Sequence, residues 1–259
     1  MRDWIRAKLE VPRTQWLAMA MIPVMALANG CEPNGGAPGT SESTGSNGTS
    51  ATAGGAAVSS DNANGALRGT PSRRVIILGT SLTAGLGLSP EQSYPSLLQE
   101  KVDSAGFLLD VVNAGLSGET SAGALRRVEW VLDQPAAAVV LEVGANDGLR
   151  GVNPDSTYAN ISALIGEVKR LRPDARVLLV QMEAPTNLGQ DYTSRFRNAY
   201  VRAAREHGIT LLPFLLDGVA GDVRFNQGDG IHPNLPGSQR VAETMWRALL
   251  PTFTEIGAR

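Results

Sequence analysis

The sequence is poor in the two side chains that most often hold metals and make covalent bonds. Of its 259 residues one is cysteine and two are histidine. The lone Cys31 excludes an internal disulfide and has no second thiol with which to share a metal. His207 and His232 are distant in the chain and the body carries no cysteine, so ligand density is low and no metal or organic cofactor is expected. Charge of one sign is also lacking: 23 basic residues face 25 acidic ones, with no block of like charge. Such a balance offers a polyanion nothing to hold, and nucleic acid is excluded as a partner. The apolar run 16–28 is too short to span a bilayer.

That run follows Arg2, Arg6, Lys8 and Arg13, and the pairing of a basic start with a short apolar segment predicts an export signal over residues 1–30. Two processing routes stay open. Ala26-Leu27-Ala28 is a small-x-small cleavage site, while Ala28-Asn29-Gly30-Cys31 looks like a bacterial lipoprotein box, with Leu27 one place further from the cysteine than usual. The second route makes Cys31 a lipid attachment point. From residue 31 to 72 the chain is dominated by Gly, Ser, Thr, Ala and Asn, with Glu32, Glu42, Asp61 and Arg68 its only charges. With so little to bury it reads as a disordered tether. The expected location is therefore the bacterial periplasm, or a membrane to which lipidated Cys31 anchors the protein.

From residue 73 to 259 the pattern changes. Short apolar runs at 75–78, 109–113, 136–143, 176–182 and 209–214 are mostly continuous, as strands covered on both faces are. Between them, 91–104, 120–133, 154–171, 190–207 and 236–250 carry helical spacing; Asn153-Pro154 supplies a cap and a first-turn proline for the third. Five strands alternating with helices predict a three-layer α/β/α sandwich on a five-stranded parallel sheet. Its ligand crevice should lie at the carboxyl ends of the strands.

Chemistry-bearing residues follow four of those ends. After the first strand comes Gly79-Thr80-Ser81, after the second Asn113-Ala114-Gly115, after the third Gly144-Ala145-Asn146-Asp147, and beyond the fifth the loop "GDGIHPN" at 228–234. A phosphate-binding loop is not favoured, because Gly85 is followed by Leu86 and Gly87 rather than by lysine and a hydroxyl. A serine nucleophile needs a base within reach and a group to orient that base. His232, three residues after Asp229, brings both on one segment, whereas His207 just before Gly208 suits a helix C-terminus. The Ser81 N–H, the Gly115 N–H and the Asn146 amide are candidate donors to a developing oxyanion.

The blocks "LGTSLTAG", "NAGLSGETSAG", "GANDGLRG" and "DGIHPN" resemble, in order, those of the SGNH (GDSL-type) hydrolases, over about residues 73–250. "GANDGLRG", "LLPFLL" and "DGIHPN" are most similar to the thioesterase I, lysophospholipase L1 and arylesterase branch. The resemblance implies a flavodoxin-like fold and a serine esterase acting through an acyl-enzyme on small-molecule or lipid esters. Short to medium acyl chains and a thioesterase side activity are expected. It assigns Ser81 as nucleophile, His232 as general base and then acid, Asp229 as its orienting partner, and Gly115 and Asn146 with the Ser81 N–H as the oxyanion hole. One departure stands out: Thr80 occupies the place of the family's usual aspartate. Two alternatives remain open at this level, a carbohydrate O-deacetylase of the same superfamily and a non-catalytic surface-binding lipoprotein. Leu149, Val152, Pro185 and Leu188, on loops after the third and fourth strands, are expected along an acyl groove.

Overall fold

A computed structural model describes residues 73–257; the expected leader and tether, with Cys31, lie outside the described residues. Five parallel strands form one sheet: β1 (Arg73–Gly79), β2 (Leu109–Gly115), β3 (Ala138–Leu141), β4 (Arg176–Gln181) and β5 (Thr210–Phe214), in the order β2-β1-β3-β4-β5. Val75 to Leu78, all of β3 and Leu178 to Val180 are buried, which is why these segments read as unbroken apolar runs rather than alternating ones. Parallel neighbours need crossover connections, and these are helical. They are α2 (Tyr94–Ser104), α3 (Ser121–Val131), α5 (Pro154–Leu171) and α6 (Gln190–His207), with α7 (Leu235–Gly257) closing the chain. α2 packs on α7, while α3, α5 and α6 pack side by side as the other layer.

The chain steps outward from β1 to β2 and then returns past β1 to β3, so the crossovers diverge between β1 and β3. In doubly wound sheets that divergence opens the crevice used for ligands. Two short helices that the periodicity does not foretell stand on its rim, α1 (Ser81–Ala84) after β1 and α4 (Ala145–Leu149) after β3. Gly144 makes the second turn possible: its φ is +90°, and a Cβ there would sit 2.2 Å from the Tyr200 hydroxyl.

The last helix differs from expectation in a different way. It runs through Pro251 to Gly257 instead of ending at 250. An interior proline costs a helix about 3 kcal/mol. Beyond it, however, Phe253 is fully buried and Ile256 nearly so, each contributing roughly 1.5–3 kcal/mol. Phe253 completes an aromatic cluster with Phe107 and Trp246, and that burial carries the helix past the proline. β3 is shorter than the apolar run that predicts it, because the sheet pairing of that run ends at Leu141.

Candidate active site

Thr80 leaves β1 in an extended conformation and caps α1, its hydroxyl accepting from the Leu82 N–H at 3.4 Å. Ser81 is thus the first residue of a helix, where the backbone N–H has no partner within the helix. Its Oγ lies 2.8 Å from His232 Nε2, and His232 Nδ1 lies 2.5 Å from Asp229 Oδ2. Three residues that the sequence spreads over more than half of the described chain therefore meet in one relay.

The loop that carries two of them is braced at both ends. The Gln227 N–H donates to the His232 carbonyl at 2.7 Å, and the Gln227 amide donates to the carbonyls of Leu86 and Pro233. Asn234 caps the start of α7 by accepting from the Gly237 N–H and donates back to the carbonyls of Arg224 and Asn226. Asp229 Oδ1 accepts from the N–H groups of Ile231 at 2.9 Å and His232 at 3.0 Å. Partial burial works to raise the Asp229 carboxyl, but the His232 ring and these two N–H groups outweigh it and hold it at about 2. An ionised Asp229 selects the tautomer with hydrogen on Nδ1, which leaves the Nε2 lone pair facing the Ser81 hydroxyl.

The remaining candidates divide. Asn146, nearly buried on α4, is oriented by donating one amide hydrogen to the Glu119 carbonyl at 2.9 Å. Its neighbour Asp147 pins α4 to the start of α3, accepting from the Ser121 N–H at 2.8 Å and the Ser121 hydroxyl at 2.5 Å. The Gly115 N–H, by contrast, already has a partner: it donates to Asn113 Oδ1 at 3.0 Å. What Gly115 supplies is close approach, since a Cβ there would meet the Ala84 nitrogen at 2.2 Å. Gly118, with a φ of +79°, is the glycine adjacent to the Asn146–Glu119 contact. His207 lies on the α5–α6 seam, bonded to the Ser162 hydroxyl.

The narrow cleft that reaches Ser81 and His232 is lined mainly by Leu82, Leu86, Leu88, Leu215, Leu216 and Val241. None of Leu149, Val152, Pro185 and Leu188 lines it. The apolar wall next to the serine comes instead from the α1 turn, the loop after β5 and α7. Among the described residues no group of three His, Cys, Asp or Glu side chains is placed to hold a metal.

One buried group at this site escaped the sequence reading. Glu142, at the end of the β3 run, has no solvent exposure. Its carboxylate accepts from the Thr80 N–H at 2.8 Å, the Thr80 hydroxyl at 3.0 Å and the Thr83 hydroxyl at 2.8 Å. The signal was present in the sequence: a single acid in the otherwise apolar stretch 136–143.

The family model of the GDSL-like Lipase/Acylhydrolase family matches residues 77–240, from β1 to the start of α7 and including every residue of the relay. The chain belongs to that family. Esterase TesA of Pseudomonas aeruginosa is 38% identical over 178 residues, covering 68% of this chain and 88% of that protein. Thioesterase 1/protease 1/lysophospholipase L1 of Escherichia coli K12 is 37% identical, covering 68% and 83%. Among solved structures, the crystal structure of TesA superposes with a TM-score of 0.66 at 37% identity, covering 69% of this chain and 99% of that one. Another neighbour is the psychrotrophic esterase EstA from Pseudoalteromonas sp., inhibited by monoethylphosphonate, with a TM-score of 0.65 at 32% identity, covering 70% and 99%.

Proposed function

We propose that the protein is an exported carboxylic ester hydrolase acting through a Ser81 acyl-enzyme, of arylesterase or lysophospholipase type, on short to medium acyl chains. The observation that carries this reading is the relay of 2.8 Å from Ser81 to His232 and 2.5 Å from His232 to Asp229. His232 Nε2 takes the Ser81 proton as Oγ attacks the ester carbonyl carbon. Asp229 holds the imidazolium that forms and keeps Nε2 aimed at the serine. The proton passes to the departing alcohol oxygen, and water, deprotonated by the same nitrogen, then releases the acid and regenerates Ser81.

The oxyanion receives the Ser81 N–H and the second amide hydrogen of Asn146. For the third donor we replace Gly115 by Gly118, because the Gly115 N–H is engaged by Asn113, whereas Gly118 adjoins the carbonyl that orients Asn146. One such donor is worth about 3 kcal/mol in the transition state. The leucine-lined cleft beside Ser81 favours an apolar acyl group over a carbohydrate acetate, and thioester cleavage uses the same chemistry as a side activity. No described helix is long and apolar enough to cross a membrane. Attachment to one rests on lipidated Cys31, which the intact mass of the exported protein tests.

The deciding experiment is hydrolysis of p-nitrophenyl acetate, octanoate and palmitate by the purified protein beside Ser81→Ala. Turnover of acetate and octanoate that vanishes in the variant is expected. Equal rates for the two proteins would refute the serine mechanism, and a strong preference for acetate alone would move the reading to a deacetylase.

A further inference from the structure

Glu142 takes no part in the relay, yet its carboxylate is bonded to residues on both sides of the nucleophile. Thr80, immediately before Ser81, reaches it with both N–H and hydroxyl, and Thr83, two residues after Ser81, reaches it with a hydroxyl. The Thr80 hydroxyl also accepts from the Leu82 N–H, so the cap of α1 is oriented from beneath by the same carboxylate. The packing leaves this group no room to drift. A Cβ on Gly79 would come within 2.0 Å of Thr83 Oγ1 and 2.7 Å of Glu142 Oε2.

We propose that Glu142 is a positioning residue for catalysis: its ionised carboxylate clamps the Thr80–Thr83 turn so that the Ser81 hydroxyl and N–H stand in register with His232 and the oxyanion, and its protonation releases the clamp. This rests on the serine esterase reading given above.

The chemistry of the donors makes the clamp sensitive to one proton. An ionised carboxylate only accepts, and here it meets three hydrogens, from the Thr80 N–H, Thr80 Oγ–H and Thr83 Oγ–H. Protonation turns one oxygen into a donor. The Thr83 hydroxyl can reverse, because the Tyr94 hydroxyl stands 2.8 Å behind it as donor or acceptor. Oε2 holds the Thr80 N–H and the Thr83 hydroxyl while Oε1 meets only the Thr80 hydroxyl, so a proton on Oε1 forces the Thr80 hydroxyl contact next to Ser81 to reverse and leaves Oε2 a weaker acceptor for the Thr80 N–H. Burial drives the carboxyl up, the Thr80 and Thr83 hydrogen bonds pull it down, and the balance leaves it at about 7.

Other ionisable groups around it do not supply the same switch. Tyr94 on α2 and Tyr200 on α6, which feel its charge, are pushed well above the usual tyrosine range, foremost by burial, and stay neutral. Arg127 on α3 commits its guanidinium to Glu119 and to the carbonyls of Ala114 and Gly79. Asp147 on α4 is engaged by Ser121.

The test is the pH dependence of kcat and KM on p-nitrophenyl octanoate for the full-length protein, Glu142→Gln and Thr80→Val. In the wild type the acid limb of log kcat should contain the ionisation of Glu142. In Glu142→Gln that part of the limb should be gone, with kcat at pH 8.5 about 10- to 100-fold lower and KM within about twofold. Thr80→Val deprives the ionised form of one donor and should move the Glu142 part of the limb to higher pH, which keeps the inference testable should Glu142→Gln not fold. An acid limb of unchanged slope and midpoint in either folded variant would overturn the role of Glu142. Absence of Ser81-dependent turnover in the wild type would instead overturn the esterase reading itself.

Discussion

The same buried carboxyl has a consequence for stability that can be measured without any substrate. Glu142 ionises at about 7 in the folded protein against an ordinary value of 4.5, chiefly because burial disfavours the charge. Between these two pH values the folded chain holds a proton that the unfolded chain has already lost, so raising the pH favours unfolding. The stability tied to this proton is complete below 4.5 and disappears as the pH rises through 7. The separation of the two values, at about 1.4 kcal/mol per pH unit, amounts to about 3 kcal/mol. That is a large part of the stability of an ordinary domain. Glu142→Gln keeps the shape and cannot ionise. In urea unfolding followed by circular dichroism at pH 5 and pH 8.5, the wild type should lose about 3 kcal/mol more than the variant between the two conditions. Other perturbed carboxyls do not disturb the comparison, since both proteins share them; Asp229, held at about 2 against an ordinary 3.8, also titrates below the window. Parallel stability curves for the two proteins would refute the reasoning.

The two histidines should behave oppositely. His232→Ala should lower kcat/KM by roughly 10^5- to 10^6-fold, while His207→Gln should stay within about twofold in activity and lose about 1 kcal/mol of stability with the Ser162 hydrogen bond; comparable inactivation of both would undo the assignment of the base. Gly144→Ala places a side chain at a φ of +90° and its Cβ 2.2 Å from the Tyr200 hydroxyl, which also donates to the Val143 carbonyl. About 1–3 kcal/mol of backbone strain should appear as a lower Tm, partly restored by Tyr200→Phe, with kcat falling because Asn146 follows the strained turn; a wild-type melting curve would show that the turn relaxes freely.

Much of this was legible in the sequence because the residues concerned are unusual where they stand. Continuous apolar runs point to strands covered on both faces, and five of them with helical segments between predict the sheet that forms. Asp229 and His232 lie close enough in sequence for one loop to carry both, and Ser81 follows an apolar strand directly, so strand-end reasoning brings all three to one crevice. Glu142 was equally visible as the lone acid of an apolar run, but a charge in a strand is informative only when its partners are known. Those partners, Thr80 and Thr83, belong to a strand end and a turn some sixty positions away, and their common hydrogen-bonding ability distinguishes them from no other loop hydroxyl.

Gly115 and Gly118 show a different limit. Gly115 ends the second strand and Gly118 follows it, both are small, and a donor to an oxyanion is an N–H that any residue but proline possesses. What separates them is the path of the backbone at each. The N–H of Gly115 turns toward the Asn113 side chain, and its missing Cβ admits the α1 backbone. Gly118 stands beyond the strand, where a left-handed φ lets the chain double back beside Glu119 and Asn146. A residue type states which hydrogen is available, but only the path of the backbone states where that hydrogen points. The side chains that meet in the relay stand out in the sequence by type and spacing, whereas the direction of a backbone N–H comes only from the folded chain.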